Sequence, residues 1–179
     1  MFLTNQDNVH QALKMLDSHS AWPPDAEAVI IVVGGAALAF YNPTTIRETD
    51  DLDGILLTSS VPSEQVIQMA EQIGISFRAG SVMWMPEDWE DRIQWSNWEF
   101  RHLRVGWLDP YDWVISKLGR WIGHDSHDVE MIAAQLDPET LYHRVRQALP
   151  DFIGDEQRVR WNWRDLVEGM QWSPHLRNL

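Results

Sequence analysis

The chain has 179 residues, a net charge of -13 and no cysteine. The missing thiols exclude disulfides, thiolate catalysis, zinc fingers and iron–sulfur clusters. The acidity argues against extended nucleic-acid binding, whose affinity comes mostly from neutralising phosphates.

With 44% apolar and 23% charged residues, the chain reads as a globular domain able to bury its own core. No apolar run reaches the roughly 18–20 residues of a membrane helix, so no membrane partner is expected. Met1 to Asn8 lacks a basic stretch followed by an apolar one, which predicts a soluble, cytoplasmic protein.

Val9, Ala12, Leu13 and Leu16 recur at helical spacing and predict a helix over residues 6–18. Ala21-Trp22-Pro23-Pro24 ends it. Ala28 to Val33 is a short apolar run rich in β-branched residues, and predicts a buried strand leading into Gly34-Gly35. Ala36 to Phe40 holds helix formers, and Asn42-Pro43 closes that helix. Leu52 to Leu57 reads as a central strand, because it is apolar on both faces past Asp53. Pro62 to Ile73 is amphipathic, with Val66, Ile67, Ala70 and Ile73 inward and Gly74 as its stop.

Weak strands are expected over residues 75–78 and 82–85. A firmer one is expected over 99–107, where Leu103, Val105 and Trp107 alternate. Asp109 and Pro110 are a cap and first residue for a helix reaching about Ile122. Asp125 or Ser126 caps the next helix, with Val129, Ile132, Ala133 and Leu136 inward. Two more helices are expected over 139–149 and 155–172. The fold class is α+β (or α/β): a small mixed sheet followed by a helical C-terminal half. It is read as one domain over 1–179, with a core over about 28–136 and C-terminal helices over about 139–172.

The chemistry concentrates between Gly34 and Asp53. Two glycines opening a helix let a phosphate approach the backbone N–H groups and the positive end of the helix dipole. Asp51 and Asp53, two apart on a strand, present both carboxylates on one face. Such a pair is costly unless a cation neutralises it, and hard oxygen ligands suit Mg²⁺ (or Mn²⁺) carrying a nucleotide's phosphates. The alternative is an exposed turn. Lys117 shares a helix side with Trp113 and Arg120, which gives either a phosphate clamp or a solvated face. His124-Asp125-x-His127-Asp128 reads as helix capping, with a His/Asp metal site as the alternative. Seven of the eleven tryptophans fall between Trp84 and Trp121, and read as core and interface packing, with base stacking as the alternative.

Gly34-Gly35 followed by Asp51-x-Asp53 resembles the signature of the nucleotidyltransferase (polymerase-β-like) superfamily. Arg47-Glu48-Thr49-Asp50-Asp51-Leu52-Asp53 looks like the corresponding motif of a minimal bacterial branch related to AbiEii-type toxins. Two further blocks of that branch have counterparts, Glu87 to Arg92 and Asp112 to Arg120 with Asp125 to Asp128. The resemblance covers roughly residues 28–136. It implies phosphate binding at Gly34, Gly35, Lys117 and Arg120, with Arg47 and Thr49 in support. Asp51 and Asp53 would be the catalytic metal ligands. It implies a third metal-binding acid from a later strand, for which Glu99 is the candidate.

The expected function is binding of a nucleoside triphosphate with Mg²⁺ and transfer of a nucleoside monophosphate to an acceptor hydroxyl on a protein, an RNA end or a small molecule. The alternative is a non-catalytic nucleotide-binding or protein-interaction module, working with a protein partner or as a homodimer, as in one half of a toxin–antitoxin pair.

Overall fold

The β-branched run after Pro24 forms β1 (Ala28–Val32), the strand around which the first half of the chain is organised. In the computed structural model the described residues are 5–41, 52–73, 75, 77, 83–123 and 125–179. They fall into two compact units: residues 1–81 with 93–108, and residues 82–92 with 109–179.

In the first unit, α1 (Gln6–Asp17) is capped by Asn5, whose side chain accepts from the Asn8 N–H. Its buried stripe is the expected Val9, Ala12, Leu13 and Leu16. The sheet contains β1, β2 (Gly54–Ser59), β3 (Gln94–Trp95) and β4 (Leu103–Trp107) in the order β2-β1-β4-β3. β1 runs antiparallel to β2 and parallel to β4, so the sheet is mixed. Two short helices complete the unit, α2 (Leu38–Tyr41) and α3 (Ser63–Gln72). In α3 the buried residues are Val66, Met69 and Ala70; Ile67 and Ile73 are half-buried. The expected stop at Gly74 lies outside the described residues.

Three expectations are corrected. β2 is an edge strand among the described residues, and its apolar Ile55, Leu56 and Leu57 are only half-buried. An apolar run therefore did not distinguish a central strand from an edge. β4 begins at Leu103, not at residue 99. The Asp17 carboxylate captures the N–H groups of Arg101, His102 and Leu103 at 3.0, 2.7 and 3.1 Å, and this clasp holds the chain ahead of the strand. Finally, Met83 to Met85 is irregular rather than a strand; the Trp84 indole N–H donates to the Ala148 carbonyl at 3.0 Å. Of the other weak strand only Ile75 and Phe77 are described.

Alternation along the strands assigns residues to the two sheet faces. Val32, Gly54 and Trp107 share one face, since Val32 pairs with both of the others. Phe40 of α2 stacks on Trp107 there, with ring centroids 4.1 Å apart. Asp53, Ile31 and Gly106 belong to the other face: Ile31 pairs with Gly106, and the Val33 N–H donates to the Asp53 carbonyl at 2.8 Å.

The second unit is helical: α4 (Pro110–Leu118), α5 (Asp125–Ala133), α6 (Pro138–Ala148) and α7 (Glu156–Gly169). Asp109, Asp137 and Asp155 cap α4, α6 and α7 by accepting the N–H groups of Tyr111, Thr140 and Gln157. α5 starts at Asp125, with Val129, Ile132 and Ala133 buried and Leu136 half-buried beyond its end. Of the seven tryptophans between Trp84 and Trp121, Trp84 and Trp113 are buried, Trp95 is exposed and the other four are half-buried; Trp163 of α7 is buried as well.

Candidate functional site

β1 runs straight into the glycine turn because its last residue, Val32, pairs with Gly54, the first of β2. That register brings the residue before β2, Asp53, up to the residues after β1. Gly34 is buried and adopts φ +60, a left-handed conformation that glycine enters without penalty. A Cβ built on Gly34 would lie 2.2 Å from Asp53 Oδ2 and 2.7 Å from Asp53 Cβ. The Asp53 side chain therefore occupies the space a side chain at 34 would need. Asp53 and Gly35 are half-buried, and the Gly35 carbonyl accepts the Leu38 N–H at 3.2 Å as the chain turns into α2.

The structure thus brings Gly34, Gly35 and Asp53 together. Asp51, Arg47 and Thr49 lie outside the described residues. Glu99 is exposed in the irregular segment between β3 and β4. It precedes Leu103, which pairs with Ala28, whereas Asp53 adjoins the Val32 end of the sheet. Its expected place on a strand is not observed, because the strand starts four residues later.

β4 can be read position by position on the Asp53 face. Its residues there are Arg104 and Gly106, followed by Leu108 if the alternation continues. A Cβ on Gly106 would meet Ile93 Cγ2 at 2.6 Å and the Gln94 carbonyl oxygen at 2.9 Å, so that position is closed to side chains. The exposed Arg104 guanidinium lies 3.8 Å from the Trp95 ring centroid, a cation–π contact. Leu108 is fully buried. Among the described residues, no three carboxylate or imidazole side chains are grouped to hold a metal ion.

Lys117 and Arg120 belong to the second unit and share a carboxylate there. Lys117 Nζ donates to Asp125 Oδ1 at 3.1 Å, and Arg120 holds both Asp125 oxygens at 2.9 Å. The Ile122 N–H adds a bond at 3.0 Å. Burial pushes the Asp125 carboxyl up, but the bonds from Arg120 and Ile122 and the charge of Lys117 outweigh it and bring it to about 2. Lys117 also stands 5.4 Å from the Trp113 ring centroid, as the shared helix side predicts. Its ammonium is buried, so a clamp role would have to compete with Asp125.

Sequence reasoning missed a second ion-pair group. Arg92 donates to Asp112 through Nε at 2.8 Å and Nη2 at 3.0 Å, and pairs with Asp88 at 2.5 Å. Arg144 pairs with Asp109 at 2.8 Å and approaches Asp112 at 3.7 Å. Asp112 is wholly inaccessible, and its burial raises the carboxyl's pKa against the pull of Arg92. The signal was available: a carboxylate within Pro-Tyr-Asp-Trp-Val-Ile must be buried, and a buried charge requires a partner.

A family model described as a nucleotidyltransferase of unknown function (DUF6036) matches residues 8–174. No curated protein and no solved structure matches the chain. The match runs through both units, from α1 to the residues beyond α7, and takes in the Gly34–Asp53 contact and both ion-pair groups. On that extent, the chain belongs to the DUF6036 family of nucleotidyltransferases.

Proposed function

We propose that the chain binds a nucleoside triphosphate with Mg²⁺ (or Mn²⁺) at the Gly34–Gly35 turn and Asp53, and transfers the nucleoside monophosphate to an acceptor hydroxyl. The contact between Gly34 and Asp53 carries this reading. A bare glycine turn admits a phosphate close to the backbone. A carboxylate in contact with that turn is a hard oxygen donor for a cation on the same phosphate. The residues present therefore fit a Mg²⁺–phosphate group, with Asp51 joining Asp53 on the sequence reading. Family membership supports a nucleoside triphosphate as the substrate.

The bound cation would neutralise phosphate charge and polarise the α-phosphorus. The protein's part is positioning: the glycine turn fixes the phosphates and Asp53 fixes their orientation to the sheet edge. The acceptor oxygen bonds to the α-phosphorus as its proton passes to water, the bond from that phosphorus to the oxygen bridging to the β-phosphate breaks, and pyrophosphate leaves. The acceptor class stays as the sequence left it: a protein, an RNA end or a small molecule.

Thermal unfolding with each nucleoside triphosphate, with and without Mg²⁺, tests the reading on wild type and Asp53→Asn. At about 100 times Kd a ligand adds roughly 2.7 kcal/mol to the native state. The expected result is a Mg²⁺-dependent rise in Tm that the variant loses. No rise with any of the nucleotides sinks the proposal.

A further inference from the structure

Resting on the nucleotide-transfer reading above, we infer that the acceptor is a protein hydroxyl of this same chain, Ser173, which receives the nucleoside monophosphate. Ser173 Oγ lies 2.8 Å from His175 Nδ1, and the other ring nitrogen, Nε2, lies 2.7 Å from Glu139 Oε1. An ionised carboxylate only accepts, so it takes the Nε2 proton and leaves Nδ1 of the neutral ring as an acceptor. The Ser173 hydroxyl then donates to Nδ1. A hydroxyl on a base, with the base oriented by a carboxylate, is the arrangement of an activated nucleophile.

The place of Ser173 in the chain asks for a different use of its hydroxyl. It precedes the helical turn Pro174–Arg177, where a serine side chain ordinarily accepts a backbone N–H; here it makes no such cap bond, and turns to the imidazole instead. The segment is pinned on both sides of the second unit. The Trp163 indole N–H of α7 donates to the Leu176 carbonyl at 2.6 Å, and the Tyr142 hydroxyl of α6 donates to the Asn178 carbonyl at 2.9 Å. Glu139 comes from the first turn of α6. Ser173, His175 and Glu139 are all exposed, so the hydroxyl is open to an incoming phosphorus.

Other hydroxyls are engaged differently. Those of Ser18, Tyr41, Ser116 and Tyr142 donate to backbone carbonyls, which take up no proton. Thr140 donates to Asp137, and that bond with the Thr140 N–H holds the carboxyl below its usual range, a weaker base than an imidazole. In the transfer, Ser173 Oγ bonds to the α-phosphorus, and its proton passes to His175 Nδ1 rather than to water. The bond from that phosphorus to the oxygen bridging to the β-phosphate breaks, and pyrophosphate leaves. Glu139 stabilises the imidazolium that forms.

Incubating the full chain with Mg²⁺ and each nucleoside triphosphate in turn, labelled at the α-phosphate, and locating the label by peptide mass spectrometry tests this. Label on Ser173 is expected, absent in Ser173→Ala and in Asp53→Asn and kept in Ser173→Thr. His175→Gln should slow labelling by about a hundredfold, the low end of what a positioned base contributes. Ser173→Ala should retain the Mg²⁺-dependent rise in Tm with nucleotide, which separates loss of the acceptor from loss of the fold or of the nucleotide site. Nucleotide binding with no label, or with label on another residue, overturns the inference and leaves nucleotide binding intact. No rise in Tm with any of the nucleotides overturns the underlying functional reading, and this inference with it.

Discussion

Arg92 and Asp112 meet through two parallel hydrogen bonds, at 2.8 and 3.0 Å, although twenty residues separate them in the chain. The pair ties the segment ending at Arg92 to α4, within the second unit. Asp112 is fully buried, so its charge depends on this partner. Among the described residues, Arg92→Ala leaves Asp112 the longer contact to Arg144. Removing one partner of a buried pair typically costs about 3–5 kcal/mol. Chemical denaturation should place Arg92→Ala near the low end of that range, about 3 kcal/mol below wild type, because Arg144 remains. Arg92→Lys should recover only part of the loss, since lysine cannot reproduce the two-pronged geometry. A loss under about 1 kcal/mol would mean that water or Arg144 already satisfies Asp112.

The Asp125 group predicts a pH dependence. Its carboxyl titrates at about 2 in the folded chain, against 3.8 ordinarily. A depressed acid contributes stability that is complete above the unfolded value and is lost as pH falls through the folded one. The window is therefore pH 4 down to 2, and the size on the order of 2 kcal/mol. Asp125→Asn should be less stable than wild type at pH 7, and the gap should close towards pH 2. Urea unfolding at several pH values measures it. A gap unchanged from pH 7 to pH 2 would show that the carboxylate's charge contributes nothing.

How much was legible in the sequence follows from the range of each interaction. Helix caps at Asp109, Asp137 and Asp155 are written within three residues of their targets, and the helices they start were readable. The glycine turn and Asp53 were also readable, because the pattern strand–turn–acid carries its own geometry. The edge position of β2 was not: a run of apolar residues records burial but not the number of neighbouring strands. Nor was the start of β4, since the clasp that delays it is made by Asp17, more than eighty residues earlier. Lys117 was singled out as a cation of a lysine-poor chain, but its partner Asp125 lies eight residues away across a turn. Local spacing gives no sign of that closure. Charge pairing is set by tertiary contact, so residues chosen for their charge were read less securely than those chosen for backbone shape.

Asp17 gives a graded prediction. One of its oxygens accepts from both His102 and Leu103, and the other accepts from Arg101. Asp17→Ala removes all three bonds and leaves part-buried donors unsatisfied, at about 1–3 kcal/mol. Asp17→Asn keeps one accepting oxygen, enough for the two bonds nearest the strand, and should lose about half as much. Unfolding midpoints in urea rank the three proteins. If asparagine is as damaging as alanine, the negative charge matters more than the bonds.

Gly34→Ala separates shape from stability at the proposed site. Alanine at φ +60 is strained by roughly 1–2 kcal/mol, and its methyl group would coincide with the Asp53 carboxylate. Asp53 must move away from the turn for the chain to fold. The variant should therefore fold with a Tm several degrees lower, and should lose the Mg²⁺-dependent nucleotide shift. Asp53→Asn, nearly the same size, should keep the shape of the turn and lose the same shift. Comparing the two by thermal unfolding, with and without Mg²⁺ and nucleotide, distinguishes displacement of the carboxylate from removal of its charge. A Gly34→Ala protein that binds Mg²⁺–nucleotide as wild type does would show that the contact between Gly34 and Asp53 belongs to packing, and the phosphate role of the turn would have to be abandoned.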